Sequence, residues 1–243
     1  GQPRPNFERI ALLLQGGGAL GAYQAGVYQA LSEANIHPDC VAGISIGAIN
    51  SALIAGNPPE TRVAKLRSFW ETVCTPPFGM PYFGSMQITN DYHRQLVNQF
   101  RAMGTLFGGA PNFFEPRFPP PLFVPTTTPD RLAFYDTRPL KTLLEQLVDF
   151  DRINSKQLRF GVGAVNIKTG NFIYFDNLTH KIGPQHVIAS GSLPPGFPAT
   201  EVDGEYYWDG GVVSNTPLQW VLDNRPRLDT LAFQVDLWSA RGE

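Results

Sequence analysis

The sequence of 243 residues contains few cysteines and few charged residues. Its two cysteines, Cys40 and Cys74, do not provide the disulfide framework of a small secreted domain. Charged residues make up 16% of the chain, whereas roughly 25% is usual in globular proteins, and this difference favours an apolar surface or groove. A formal net charge of −2 gives no general attraction to nucleic acid, so no nucleic-acid partner is expected.

Long hydrophobic runs are also absent. The longest weakly polar stretch, residues 41–56, is too short and too polar to cross a membrane. The start of the chain lacks the apolar segment of a secretory signal. We therefore expect a cytoplasmic protein or one that contacts a membrane peripherally. Because an apolar strand is predicted at residues 230–235, close to the end of the chain, we also expect the native protein to continue beyond Glu243.

No pattern of residues predicts a metal site or another cofactor. Four acidic residues cluster near the end of the chain, but they are spaced as in a hairpin and do not form the run of a calcium-binding loop. These residues are Glu201, Asp203, Glu205 and Asp209.

Apolar segments of strand length alternate with segments of helix length through most of the chain. This alternation is typical of an α/β domain in which helices cover both faces of a sheet. The length suits one domain spanning residues 1–243. The predicted strands are 10–14, 40–42, 159–165, 172–175, 199–202, 205–208 and 230–235, and the predicted helices are 22–34, 47–55, 61–73, 139–148, 185–190 and 216–222.

A nucleophile motif lies between the second predicted strand and the helix that follows it. Residues 43–47 read GISIG and fit the pattern G-x-S-x-G. In this motif a serine occupies a strained strand-to-helix turn that exposes its hydroxyl group, and the flanking glycines avoid collisions. Ser45 is therefore a candidate nucleophile. The alternative is a glycine-rich turn whose serine only caps the helix.

A glycine cluster, GGGALG at residues 16–21, connects the first predicted strand to the first helix. Such a loop offers backbone N–H groups that stabilise the oxyanion formed when a serine attacks an ester. The same cluster also fits the dinucleotide fingerprint G-x-G-x-x-G. That fingerprint requires an acidic residue about 20 positions later, at the end of a second strand. Asp39 has about this spacing, but it precedes the strand.

The third motif, Asp209-Gly210-Gly211, follows the predicted strand at residues 205–208. An aspartate at the start of a glycine turn can reach across a site and act as a general base. The alternative is a turn aspartate that bonds only its own backbone. The nearby pair Asp203-Gly204 predicts a tight hairpin between two strands.

Together the three motifs resemble those of the patatin-like phospholipase family. They occur in the family's order, and the resemblance extends from about Ile10 to about Asp236. It implies a three-layer α/β/α fold with a mostly parallel central sheet. It also implies a lipid acyl hydrolase that cleaves lipid or fatty-acyl esters through a serine–aspartate dyad.

The resemblance assigns a role to each motif residue. It implies Ser45 as the nucleophile and Asp209 as the base that activates it. Many members carry Arg or Lys just before the last glycine of the first motif, where this chain has Leu20, so the oxyanion hole depends on backbone amides here. The implied oxyanion-hole residues are Gly16, Gly17 and Gly18, and the other motif glycines are Gly21, Gly43, Gly47, Gly210 and Gly211.

A histidine triad is the alternative mechanism. A triad on an α/β-hydrolase fold runs in the order serine, acid, histidine. No histidine follows residue 186, so Asp209 cannot be the acid of such a triad. His180 or His186 would need an earlier acid, and the candidates are Asp136, Asp149, Asp151 and Asp176. Two other functions remain open, namely an acyltransferase with the same acyl-enzyme and a nucleotide-binding module.

Residues 75–130 interrupt the α/β pattern. The segment contains ten prolines, a density that opposes regular secondary structure, and many aromatic side chains. We interpret it as an insertion with one short helix at residues 91–103. It either forms a cap over the acyl site or packs its aromatic side chains on the body of the domain.

Overall fold

The computed structural model describes residues 3–74, 110, 112–118 and 128–238. Besides the strands and helices given next, this part of the chain contains short 3-10 turns at Gly18–Gly21, Pro129–Arg131 and Gly210–Val212. The strands are β1 (Arg9–Leu14), β2 (Cys40–Ile44), β3 (Glu115–Pro116), β4 (Tyr135–Asp136), β5 (Arg159–Asn166), β6 (Phe172–Asp176), β7 (Thr200–Val202), β8 (Glu205–Asp209) and β9 (Thr230–Val235). The helices are α1 (Ala22–Glu33), α2 (Ile46–Ala55), α3 (Pro59–Cys74), α4 (Arg138–Leu147), α5 (Phe150–Asn154), α6 (Pro184–Ser190) and α7 (Leu218–Leu222).

Seven of these strands form one mixed sheet. Its parallel part has the order β9-β1-β2-β5. Strands β6 and β8 both pair with β5 in the antiparallel sense, and β7 pairs with β8. Helices flank this sheet, so the predicted three-layer α/β/α fold with a mostly parallel centre is confirmed.

The central strands are buried on both faces, which explains why they read as continuous apolar runs. Alternate residues of a strand point to opposite faces. Leu12 and Leu14 of β1 therefore join the larger core, which is built with α1 to α6. Ala11 and Leu13 join a smaller core on the other face, where Trp220 of α7 covers the sheet.

Most predicted elements match the observed ones within two residues, but three short elements were missed. Helix α5 follows directly after α4, and the Asp149 side chain caps it by accepting a hydrogen bond from Arg152 N at 2.9 Å. Strands β3 and β4 form a separate antiparallel pair. Two-residue strands carry too little alternation to be recognised from a sequence.

Only part of the proline-rich insertion lies within the described residues. Phe113 and Phe114 pack in an aromatic cluster with Phe197 and Tyr135, with ring centroids 4.8–6.2 Å apart. These two insertion side chains therefore contact the body of the domain. The predicted helix at residues 91–103 lies outside the described residues.

Candidate active site

Ser45 lies in the sharp turn between β2 and α2. Its backbone angles are φ 55° and ψ −122°, a region that residues with a side chain rarely occupy. The flanking glycines are required sterically: a Cβ atom on Gly43 would collide with the backbone of Gly47, and one on Gly47 would collide with the carbonyl group of Leu14. This is the geometry that the G-x-S-x-G pattern predicts.

The register of the sheet brings Asp209 to the same place. Strand β2 ends beside β5, with Ile44 paired to Gly163. Strand β8 arrives on that side of β5 from the opposite direction, and Asp209 pairs with Ala164, the next residue of β5. Because the two strands end at adjacent positions along β5, the residues at their ends meet.

The Ser45 side chain lies beside the Asp209 carboxylate and lowers its pKa as a hydrogen-bonding neighbour. Asp209 is 2% exposed, and its carboxylate also accepts a hydrogen bond from Gly211 N at 2.7 Å. Burial raises the pKa of Asp209 from 3.8 to about 6, although the Ser45 side chain and the hydrogen bond from Gly211 N oppose this rise. The carboxylate is thus a stronger base than an exposed aspartate.

The glycine loop runs directly past the serine. A Cβ atom on Gly16 would lie 3.1 Å from Ser45 Cβ. The Gly16 N–H donates to Asn215 O at 3.3 Å, so it is already engaged. Among the described residues, the N–H groups of Gly17 and Gly18 have no acceptor. The predicted set of oxyanion donors therefore narrows to Gly17 and Gly18.

A buried polar network holds the loop in place. Gln24 of α1 donates to Gln15 O at 2.7 Å, and Asn50 of α2 donates both to Gly21 O at 3.0 Å and to Gln24 Oε1 at 2.8 Å. Trp70 of α3 donates to Asn50 Oδ1 at 3.1 Å. Three helices therefore fix the loop through hydrogen bonds. This network was not predicted from the sequence, because Gln24 and Asn50 are isolated polar residues within helices.

Ser190, at the end of α6, was also missed. Its hydroxyl group accepts a hydrogen bond from Ser45 N at 3.0 Å and donates one to Gly163 O at 2.6 Å. Ser190 thereby links the strained turn to β5, and the N–H group of Ser45 is already hydrogen-bonded. The sequence predicted only that Ser190 ends a helix, with no sign of this contact.

The candidate histidines have other partners. His186 Nδ1 accepts a hydrogen bond from Gly183 N at 2.9 Å, and burial lowers the pKa of this imidazole. His180 Nδ1 lies 2.9 Å from Thr179 Oγ1. Within the described part of the chain, neither ring is hydrogen-bonded to Ser45 or to a carboxylate.

Three of the four acids that a triad would need are likewise engaged elsewhere. Asp149 caps α5, as described above. Asp176 accepts hydrogen bonds from Arg159 and Trp220, and Asp136 accepts two from Arg138. These contacts give the carboxylates structural roles.

Asp39 lies on the wrong edge of the sheet for a dinucleotide site. Its carboxylate accepts a hydrogen bond from Ile10 N at 2.7 Å, near the start of β1. The glycine loop begins after the other end of β1, roughly 15–20 Å away at about 3.3 Å per residue. Asp39 therefore cannot contact a ribose whose phosphates lie on the glycine loop.

Metal-binding clusters and membrane-spanning helices are both absent from the described residues. In this part of the chain no group of His, Cys, Asp or Glu side chains is arranged to hold a metal ion. None of the helices that the structure describes is long and apolar enough to cross a membrane.

A serine turn at the carboxyl edge of a mostly parallel, helix-flanked sheet defines the broad class of α/β proteins with a nucleophile elbow. Within this class, the model of the patatin-like phospholipase family matches residues 12–222. The chain therefore belongs to the patatin-like phospholipase family, and the resemblance of its three motifs is confirmed.

Relatives share short segments with the chain. It is 54% identical over 46 residues to a lysophospholipase of Aspergillus terreus, a segment that covers 19% of this chain and 3% of that protein. It is 41% identical over 69 residues to neuropathy target esterase of Drosophila melanogaster, covering 28% and 5%. The aligned segments thus span a few per cent of these relatives' length. The crystal structure of VipD from Legionella pneumophila aligns with 93% of this chain and 49% of its own, at 18% identity and a TM-score of 0.44.

Proposed function

We propose that the protein is a lipid acyl hydrolase that cleaves carboxylic esters through a Ser45 acyl-enzyme. The observation that supports this most directly is that the Ser45 side chain lies beside the buried Asp209 carboxylate and lowers its pKa as a hydrogen-bonding neighbour. Membership of the patatin-like phospholipase family supports a lipid ester as the substrate.

In the proposed reaction, Asp209 accepts the proton from Ser45 Oγ as this oxygen attacks the ester carbonyl carbon. The tetrahedral oxyanion is stabilised by the N–H groups of Gly17 and Gly18 and by the amino-terminal end of α2. Collapse breaks the bond to the leaving alcohol, which takes the proton from Asp209. Water activated by the same carboxylate then hydrolyses the acyl-enzyme and restores Ser45.

The test is intact-mass detection of fluorophosphonate labelling. We expect one adduct on the wild type and on His186→Ala, none on Ser45→Ala and little on Asp209→Asn. Labelling that survives Asp209→Asn but disappears in His186→Ala would contradict the dyad and favour a histidine triad. Product analysis with a competing alcohol or thiol then separates hydrolysis from acyl transfer.

We also propose that the mouth of this site contacts a lipid surface. Four exposed apolar side chains flank it, which we name the apolar rim: Leu20 (48% exposed), Leu193 (50%), Val213 (57%) and Trp238 (61%). Each of these side chains is close in the chain or bonded to a group of the site. Leu20 lies in the glycine loop, and Val213 comes two residues after the Asp209-Gly210-Gly211 turn. Leu193 follows Ser192, whose carbonyl oxygen accepts a hydrogen bond from Asp209 N, and Trp238 Nε1 donates one to Gly16 O.

Two rim positions can be tested against a matched control. Leu178 is 49% exposed, almost the same as Leu193, but it follows the end of β6 at the opposite edge of the sheet. We expect Leu193→Ser and Val213→Ser each to weaken binding to phosphatidylcholine vesicles by roughly fivefold, about 1 kcal/mol for a half-buried side chain. Leu178→Ser should bind as the wild type does. Equal binding by all variants would contradict the proposal that the apolar rim contacts the lipid surface.

A further inference from the structure

The carbonyl group of Gly16 accepts two hydrogen bonds from side chains that are distant in the sequence. Asn215 Nδ2 lies 2.9 Å from Gly16 O, and Trp238 Nε1 lies 3.0 Å from it. A carbonyl oxygen has two lone pairs, so these two donors satisfy its capacity. The orientation of this peptide group is therefore fixed from two sides.

The same peptide group carries the N–H of Gly17. The bond between Gly16 and Gly17 is trans, so the Gly17 N–H points away from the Gly16 carbonyl oxygen and from its two donors. This N–H has no acceptor among the described residues. Hydrogen bonds accepted by a carbonyl group also polarise the N–H of the same unit, by roughly 10–30% per bond in estimates of cooperativity.

The Asn215 side chain lies between the two halves of the site. A Cβ atom on Gly16 would collide with Asn215 Oδ1, and one on Gly211 would come within 3.0 Å of it. Gly211 in turn donates its N–H to Asp209. One carboxamide thus packs against both the glycine loop and the turn that presents the base.

We propose that Asn215 is a positioning residue, which holds and polarises the Gly17 N–H so that it can stabilise the oxyanion. This proposal rests on the Ser45 chemistry proposed above. The Asn215 backbone oxygen still accepts from Gly16 N when the side chain is removed, so Asn215→Ala keeps one link between the two segments.

The expected effect is on the turnover number. Removal of a direct oxyanion donor lowers kcat by about 10²–10³-fold. Asn215 acts through a peptide group, and Trp238 remains as a second donor, so for Asn215→Ala we expect a smaller loss in kcat of roughly 5- to 20-fold, with KM within about twofold. The double variant with Trp238→Phe should lose more than either single variant.

Thr216→Val is the matched control. Thr216 Oγ1 accepts a hydrogen bond from Gln15 Nε2 at 3.1 Å, so this variant removes a link between the same two segments without touching Gly16 O. We expect its kcat to stay close to that of the wild type.

Comparing a short nitrophenyl ester with its thionoester distinguishes the proposed positioning role of Asn215 from a purely structural role. The thiocarbonyl sulfur accepts hydrogen bonds weakly, so the oxyanion donors stabilise the transition state of the ester far more than that of the thionoester. We expect the kcat/KM value for the ester, divided by that for the thionoester, to fall in Asn215→Ala by about the same factor as kcat. An unchanged ratio, with both rates lowered equally, would overturn the proposal. If Ser45→Ala retained full activity, the proposed function itself would fail, whatever the result for Asn215.

Discussion

At the scale of single residues, the site depends on an aspartate with a raised pKa. Asp209 is almost completely buried, and this desolvation is the main cause of the rise to about 6. A carboxylate of ordinary pKa accepts protons poorly near neutral pH, whereas one with a pKa near 6 is ionised at pH 7 and more basic. Burial of the Asp209 carboxylate therefore makes it a better base for the proposed reaction but lowers the stability of the folded protein.

The first prediction concerns the pH dependence of activity. The base must be ionised, so kcat/KM for a short ester should fall as the pH drops through about 6, with a tenfold loss per pH unit below it. The measurement is a pH profile of kcat/KM on the wild type between pH 4.5 and pH 8. A midpoint near pH 4 would show that Asp209 is not the base or is not desolvated.

The second prediction concerns stability. Because the pKa of Asp209 is higher in the folded state than its ordinary 3.8, the ionised carboxylate destabilises the fold, fully above pH 6 and not at all below about pH 4. Asp209→Asn removes this charge and keeps an acceptor for Gly211. We expect it to be inactive but more stable at pH 8, by up to roughly 3 kcal/mol.

The measurement for this variant is urea unfolding at pH 8 and pH 4.5. The advantage of Asp209→Asn over the wild type should shrink at the lower pH. A variant that is less stable than the wild type at pH 8 would contradict the assignment of desolvation as the main cause.

At the scale of secondary-structure elements, α2 is held unusually close to the sheet. Gly47, in its first turn, lies against the carbonyl group of Leu14 in β1. All ten residues of this helix are buried. In the proposed mechanism, this close packing directs the amino-terminal end of α2 at the position of the developing oxyanion.

The third prediction compares two helical glycines. Gly47→Ala should destabilise the protein strongly, by several kcal/mol, because its Cβ atom would overlap backbone atoms that cannot move aside. Gly26→Ala should stabilise it by roughly 0.5–1 kcal/mol, because Gly26 lies within α1 and a Cβ atom added there would have no atom within 4 Å beyond its chain neighbours and the backbone of its own helix. Thermal unfolding of the two variants checks the sign of each change in stability. A Gly47→Ala variant as stable as the wild type would refute the close contact between Gly47 and the carbonyl group of Leu14.

At the scale of the whole molecule, the two faces of the sheet are stabilised differently. One face is covered by helices α1 to α6 and carries the larger core of the described residues. On the other face, within the described residues, Trp220 of α7 packs on the sheet at Gly161, where a Cβ atom would collide with the indole ring. Its Nε1 donates to Asp176 Oδ2 at 2.9 Å, and the Arg159 guanidinium lies 4.6 Å from the centre of its ring.

The fourth prediction follows from this contact. Trp220→Ala should lower the free energy of unfolding by about 3–5 kcal/mol, because it opens a cavity and removes a buried donor to Asp176. Trp220→Phe retains most of the packing and should lose less. Equilibrium urea unfolding of the two variants provides the measurement, and a loss below about 1 kcal/mol for Trp220→Ala would show that α7 does not anchor this face.

The sequence alone determined the order of the longer elements and the identity of the three motifs. The turn at Ser45 was predictable because its requirements are local, with glycines where the backbone allows no side chain. The strands were predictable from runs of apolar residues and the helices from their periodicity. The family followed from the ordered motifs, since three weak patterns in one order are specific.

Only the tertiary structure decided which groups meet. Asp209 reaches Ser45 because β2 and β8 end at adjacent residues of β5, and the pairing register is set by the packing of the whole sheet. The raised pKa of Asp209 depends on burial by residues far along the chain. Ser190 and Asn215 carry no local signal, because an isolated polar side chain acquires its role only from the partners that folding places beside it.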